Sequence, residues 1–128
     1  MAIRVVRLGA PRAPGEGLRL GTVRRPPRGV AKTEYASRDF YDAWLPELAP
    51  SDTLLSRAPR IADDSAWRQF AKRYRAEMKR PEAERLLVVL AALSRQTDLS
   101  VGCYCADERR CHRSVLRALL QEHGAMVL

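Results

Sequence analysis

The run Leu99-Ser100-Val101-Gly102-Cys103-Tyr104-Cys105, then Ala106-Asp107-Glu108-Arg109-Arg110, then Cys111-His112-Arg113-Ser114-Val115-Leu116 and on to Gly124, decides the fold. Leu99–Cys105 is short, small and apolar, which predicts a buried strand. A helix is predicted from about Cys111 or His112 to His123, because Val115, Leu116, Leu119 and Leu120 recur on one face and Gly124 supplies the C-terminal cap. Ala125–Leu128 is apolar and predicts a terminal strand. Strand, helix and strand within so few residues predict a parallel pair joined by a right-handed crossover.

Upstream, Ile3–Leu8 and Leu18–Val23 predict two further strands, separated by a loop that Gly9, Pro11, Pro14, Gly15 and Gly17 mark. Arg24-Arg25-Pro26-Pro27-Arg28-Gly29 must leave the sheet, since two prolines cannot donate to a ladder. Tyr41, Ala43 and Leu45 alternate ahead of Pro46, so Asp39–Leu45 predicts a short edge strand. Ser51 predicts the cap of a short helix over Thr53–Arg57. Asp64 or Ser65 should cap a longer one, in which Trp67, Phe70, Ala71, Tyr74 and Met78 share a face. Pro81 suits the first position of the next helix, with Ala83, Leu86, Leu87, Leu90 and Leu93 as its buried stripe. The expected fold class is α/β, a three-layer Rossmann-like arrangement with a mainly parallel sheet.

The whole chain, residues 1–128, is expected to be a single α/β domain, with the basic strand-loop region 1–32 included. At 46% apolar and 30% charged it has an ordinary globular composition, and its mean hydropathy of -0.34 agrees. No apolar run approaches the roughly 20 residues of a membrane span, so no membrane partner is expected. Charges within Met1–Arg7 argue against a signal peptide, and three cysteines argue for a reducing, cytoplasmic setting. Oligomeric state is not legible.

The net charge of +8 is concentrated. Residues 1–32 hold Arg4, Arg7, Arg12, Arg19, Arg24, Arg25, Arg28 and Lys32 against Glu16 alone. Such a segment suits phosphates, nucleic acid or anionic metabolites, and equally suits a solvated basic surface without a ligand. It lacks the interleaved aromatics of a single-strand binding platform.

Most of the chemistry collects in Cys103–Arg113, where a strand end meets a helix start. Unpaired amides there favour anions, yet Arg109, Arg110 and Arg113 crowd the same positive helix end. Either Asp107 and Glu108 compensate internally, or a bound phosphate or carboxylate does. Arg113 is expected to be partly exposed, so Arg113→Ala should remove anion binding and leave the fold nearly as stable.

The cysteines leave three readings open. Cys103 and Cys105 share a strand face, and Cys111 with His112 would complete a zinc set, although adjacent Cys-His ligands are awkward to aim at one ion. Cys103 to Arg109 has the C-x5-R spacing of cysteine phosphatases, but that loop lacks glycine and contains two acids. Inert packing is the third reading, and for Cys103 and Cys105 it leads. His112 can exchange protons near neutrality or simply cap the helix start. His123 suits a helix C-terminus and needs no catalytic role. Trp67, Phe70 and Tyr74 are expected in the core; Tyr41 and Trp44 can line a pocket, with core packing favoured.

These motifs resemble the DUF488 family, a bacterial domain of unknown function, in its short YeaO-like branch. Cys103, Cys111, His112 and Arg113 match a pattern of a cysteine at a strand end, a second cysteine further on, and His-Arg opening a helix. Arg24–Gly29 resembles the family's R-x-x-P-R-G turn, and Tyr41–Ser51 its W-L-x-E-L-A-P-S segment. Cys105 stands where the family often has glutamate, and Val23 where an acidic residue is common. The resemblance covers nearly the whole chain and implies a Rossmann-like α/β domain without an established reaction.

Together these readings predict an anion site, for a phosphorylated or nucleotide-like ligand, between the Cys103–Arg113 loop and the Arg24–Gly29 turn. Arg24, Arg28, Arg109 and Arg113 are the expected ligand contacts, and His112, Cys103 and Cys111 the candidate catalytic groups. No cofactor is required, zinc being the metal the cysteines admit. The alternatives are a nucleic-acid-binding accessory protein and a zinc-stabilised structural module.

Overall fold

A computed structural model describes residues 1–56 and 63–128. Four strands, β1 (Ile3–Arg7), β2 (Leu18–Gly21), β3 (Ala43–Trp44) and β4 (Leu99–Cys103), form one sheet in the order β1-β4-β2-β3. Every pairing is parallel. β4 is central, and all five of its residues are buried, as a strand covered on both faces requires. Its register aligns Ile3 with Leu99 and Arg7 with Cys103 on one side, and Leu18 with Leu99 and Gly21 with Gly102 on the other. The expected terminal strand is reduced to a single parallel bridge between Val127 and Ile3.

Among the described residues, four α-helices complete the α/β fold: α1 (Asp52–Leu55), α2 (Asp64–Glu77), α3 (Pro81–Ser94) and α4 (His112–Glu122). Strand side chains alternate between the two faces. Ile3, Leu20, Leu99 and Val101 meet Phe70 and Tyr74 of α2, Leu87 and Leu90 of α3, and Leu116 and Leu120 of α4. The buried Tyr74 hydroxyl donates to Leu48 O at 2.6 Å. The α2 cap is Asp63, whose carboxylate accepts the Ala66 N–H, one residue ahead of the expected Asp64. Trp67 is only partly buried, stacked on Phe70. In α3 the buried face comprises Ala83, Leu87, Leu90, Ala91 and Ser94, so the stripe is rotated from the one expected. Leu93 is exposed, whereas Ser94 Oγ accepts the Met126 N–H, fastening the chain's end.

On the opposite sheet face the covering layer is made of loops. The Arg19 guanidinium donates to both Glu16 oxygens, at 2.7 and 2.9 Å, and to Ala10 O and Asp39 O. Ser100 of β4 donates its hydroxyl to the same Glu16. Close approach explains two glycines. A Cβ on Gly21 would stand 2.3 Å from the Tyr41 ring, and one on Gly102 would stand 2.6 Å from Val6 O.

Three predicted boundaries change for local reasons. The Asp39–Leu45 strand shrinks to β3 because Asp39 is left-handed, with φ 63°, and the Asp42 carboxylate takes the Arg19 N–H. The strand expected to reach Cys105 ends at Cys103, and the one expected to reach Val23 ends at Gly21. The Thr53–Arg57 helix is α1, capped by Ser51 as predicted; Arg57 lies outside the described residues.

Candidate functional site

The parallel sheet aims the carboxyl ends of β2 and β4 at the start of α4, where ligands of open α/β sheets bind. Cys103 is the last residue of β4, and Cys111 is the N-cap of α4. Their sulfurs lie 2.7 Å apart, both buried, with no disulfide between them. Backbone amides point at both: Cys105 N–H at Cys103 Sγ, 3.4 Å, and Arg113 N–H at Cys111 Sγ, 3.5 Å.

His112 is buried beside them, its ring edge-on to Tyr74. Its Nε2 lies 2.8 Å from Thr22 O, and a carbonyl can only accept. The proton therefore sits on Nε2, leaving the Nδ1 lone pair 3.8 Å from Cys111 Sγ. Burial pushes the imidazole down to about 4, against the upward pull of its bond to Thr22. The donor atoms of Cys103, Cys111 and His112 all lie within 4.8 Å of one another, so this buried group can hold a metal. The awkwardness of adjacent Cys-His ligands disappears because Cys111 precedes the helix and His112 begins it.

Cys105 is exposed, and its sulfur lies outside the donor group formed by Cys103, Cys111 and His112. The neighbouring Cys103 and Cys111 thiols pull its thiol below the ordinary range, aided by the charge of Arg113. Bonding to Cys105 and Cys111, and burial, push Cys103 the opposite way.

The arginines are not gathered as expected. Arg113 is buried, 3% exposed, which corrects the partly exposed side chain predicted from sequence. Its Nη2 donates to Cys105 O at 2.6 Å, while its Nε is buried without a partner. Arg109 points into solvent and pairs with Asp107. Arg110 pairs with Asp64, and Arg117 with Glu108. Carboxylates therefore compensate Arg109 and Arg110 at the helix start, but not Arg113. Arg24 donates to Ala49 O and Pro50 O, which ties the turn to the start of α1.

Between that turn and the loop lies a cleft of about 410 Å³, lined by Arg25, Pro27, Arg28, Phe40 and Tyr104. The Tyr104 hydroxyl donates to Arg25 O at 2.8 Å and meets Phe40 edge-on, ring centroids 6.3 Å apart. Arg28 has no ion pair among the described residues. No cysteine lines the cleft; Phe40 and Tyr104 pack between it and the Cys103–Cys111 cluster. Of the expected contacts, only Arg28 borders this cleft. Arg25, Phe40 and Tyr104 were not singled out as site residues, and neither was Thr22. Tyr104 carried a signal, as the residue between two cysteines at a strand end. Phe40 carried none, since a left-handed Asp39 places it. Tyr41 is buried and Trp44 is 44% exposed, with its indole N–H donating to Val23 O, so core packing holds for the first only.

Fold and site define a parallel-sheet, Rossmann-like α/β protein with a buried thiol–imidazole group at the carboxyl edge of its sheet. The chain belongs to the DUF488 family: the family model DUF488-N3a, described as the active DUF488-N3 subclade, matches residues 3–124. That match is to the N3a subclade and does not bear on the YeaO-like branch expected from the motifs. Comparison with curated proteins gave no match, and comparison with solved structures gave none.

Proposed function

We propose that this chain binds a phosphorylated or nucleotide-like small molecule in the cleft between the Arg24–Gly29 turn and Tyr104. The observation that carries this reading is the lining itself, two arginines set beside two aromatic rings. A volume of about 410 Å³ suits a mononucleotide-sized ligand. Arg28, free of carboxylates among the described residues, would meet the phosphate, and Arg25 would exchange its exposed pairing with Asp52 for the same anion. Phe40 and Tyr104 offer faces to a planar ring. Arg24 acts as a positioning residue for the turn. Arg109, paired with Asp107 in solvent, and Arg113, buried beside the cysteines, do not line the cleft. His112, Cys103 and Cys111 take no part in binding there, because neither sulfur lines the cleft and Phe40 and Tyr104 pack between them and it.

Calorimetric titration with inorganic phosphate and adenosine monophosphate tests the reading. Binding of the nucleotide, lost at least tenfold in Arg28→Ala as expected for a charge-assisted contact, supports it. Tyr104→Ala should weaken the nucleotide and spare phosphate. No binding of either probe at millimolar concentration removes the reading.

A further inference from the structure

Buried charge singles out the cysteine cluster independently of the cleft. Arg113 is 3% exposed, no carboxylate lies within ion-pair distance of it among the described residues, and its Nε is orphaned. A buried guanidinium is tolerated only beside compensating negative charge. Sulfur is the anion-forming group at hand, since the Arg113 N–H points at Cys111 Sγ and its Nη2 reaches the Cys105 carbonyl. Two backbone amides already donate to sulfurs, and Thr22 O fixes the tautomer that frees Nδ1. A carbonyl orienting a histidine in this way is how metal ligands are held from behind.

We propose that Cys103, Cys111 and His112, completed by Cys105 once its exposed side chain turns toward them, bind one zinc ion through three sulfurs and Nδ1. Three thiolates around a divalent ion leave one net negative charge, which the buried Arg113 offsets. The sulfur-rich, imidazole-containing donor set selects zinc over magnesium or calcium. Tetrahedral bonds of about 2.3 Å to sulfur and about 2.0 Å to nitrogen place S and N about 3.6 Å apart, close to the 3.8 Å between Cys111 and His112. The Cys103 and Cys111 sulfurs, now 2.7 Å apart, must part to about 3.7 Å. The ion would join the end of β4 to the start of α4.

The test uses the full chain, produced in zinc-supplemented medium and purified without chelator. Elemental analysis should find one zinc per chain. Cobalt(II) added to the stripped protein should give thiolate-to-cobalt charge-transfer absorption and tetrahedral ligand-field bands. Cys105→Ser, at an exposed position that leaves the core intact, should cut the charge-transfer intensity by about one third, as one of three thiolates is lost. Substoichiometric zinc together with no charge-transfer band overturns the proposal. A band unchanged in Cys105→Ser overturns the four-ligand set.

Discussion

Glu16 and Arg19 are both buried, with side-chain exposures of 2% and 1%, and they hold the loop layer onto the sheet. Burial by itself would raise the Glu16 carboxyl, but hydrogen bonds from Arg19, Ser100 and Ala13 outweigh it and hold the pKa at about 2. A carboxylate depressed in the folded state contributes stability above its unfolded pKa, near 4.5, and loses it as pH falls toward 2. Urea unfolding should therefore show roughly 3 kcal/mol of stability lost across that window on account of this one group. Glu16→Gln should cost about 3 kcal/mol at neutral pH, since it leaves Arg19 buried and unpaired, and should flatten the acid limb. An unchanged limb would mean that the pair is not the acid-sensitive element. Arg113→Ala should lower stability by about 1–3 kcal/mol through lost packing of its stem, the reverse of what an exposed side chain implied. Thermal unfolding distinguishes the two.

Among the elements, β4 leaves the least room. Its burial on both faces and the missing side chain at Gly102 let the Val6 carbonyl and Leu8 close over it. Gly102→Ala should destabilise the protein by at least about 2 kcal/mol, because the crowding atom at 2.6 Å is backbone and cannot swing away. Equal denaturation midpoints for variant and parent would show that the sheet can spread there. The start of α4 is the other informative element. Cys111 caps it through sulfur, a poor substitute for serine or aspartate, which fits a residue kept for its thiol rather than for the helix.

For the molecule as a whole, the basic N-terminal segment is less available than its charge suggests. Arg12 binds Asp42, Arg19 binds Glu16, Arg24 binds backbone carbonyls and Arg25 binds Asp52. Those partners take up part of the positive charge that a phosphate backbone would otherwise meet. Retention on a single-stranded DNA column is expected to be weak and gone by about 0.15 M salt. Tight binding with a steep salt slope would instead favour the nucleic-acid alternative. Among the described residues no helix is long and apolar enough to cross a membrane.

Periodicity in the chain sufficed to determine the parallel α/β class, the buried strand that starts at Leu99 and the helix that follows it, because burying an apolar stripe or an unbroken apolar strand admits few solutions. It also brought Cys103, Cys111 and His112 into one neighbourhood, since a strand end and a helix start must meet there. What tertiary structure alone decided was where each arginine goes: Arg113 inward, Arg109 and Arg110 onto carboxylates, Arg19 beneath a loop layer, and Arg28 to the rim of a cleft. A guanidinium on a long flexible stem takes its place from partners distant in sequence, such as Asp64 for Arg110 or the Ala49 and Pro50 carbonyls for Arg24. Local pattern holds no record of those partners, so net charge revealed the amount of positive potential and not its position.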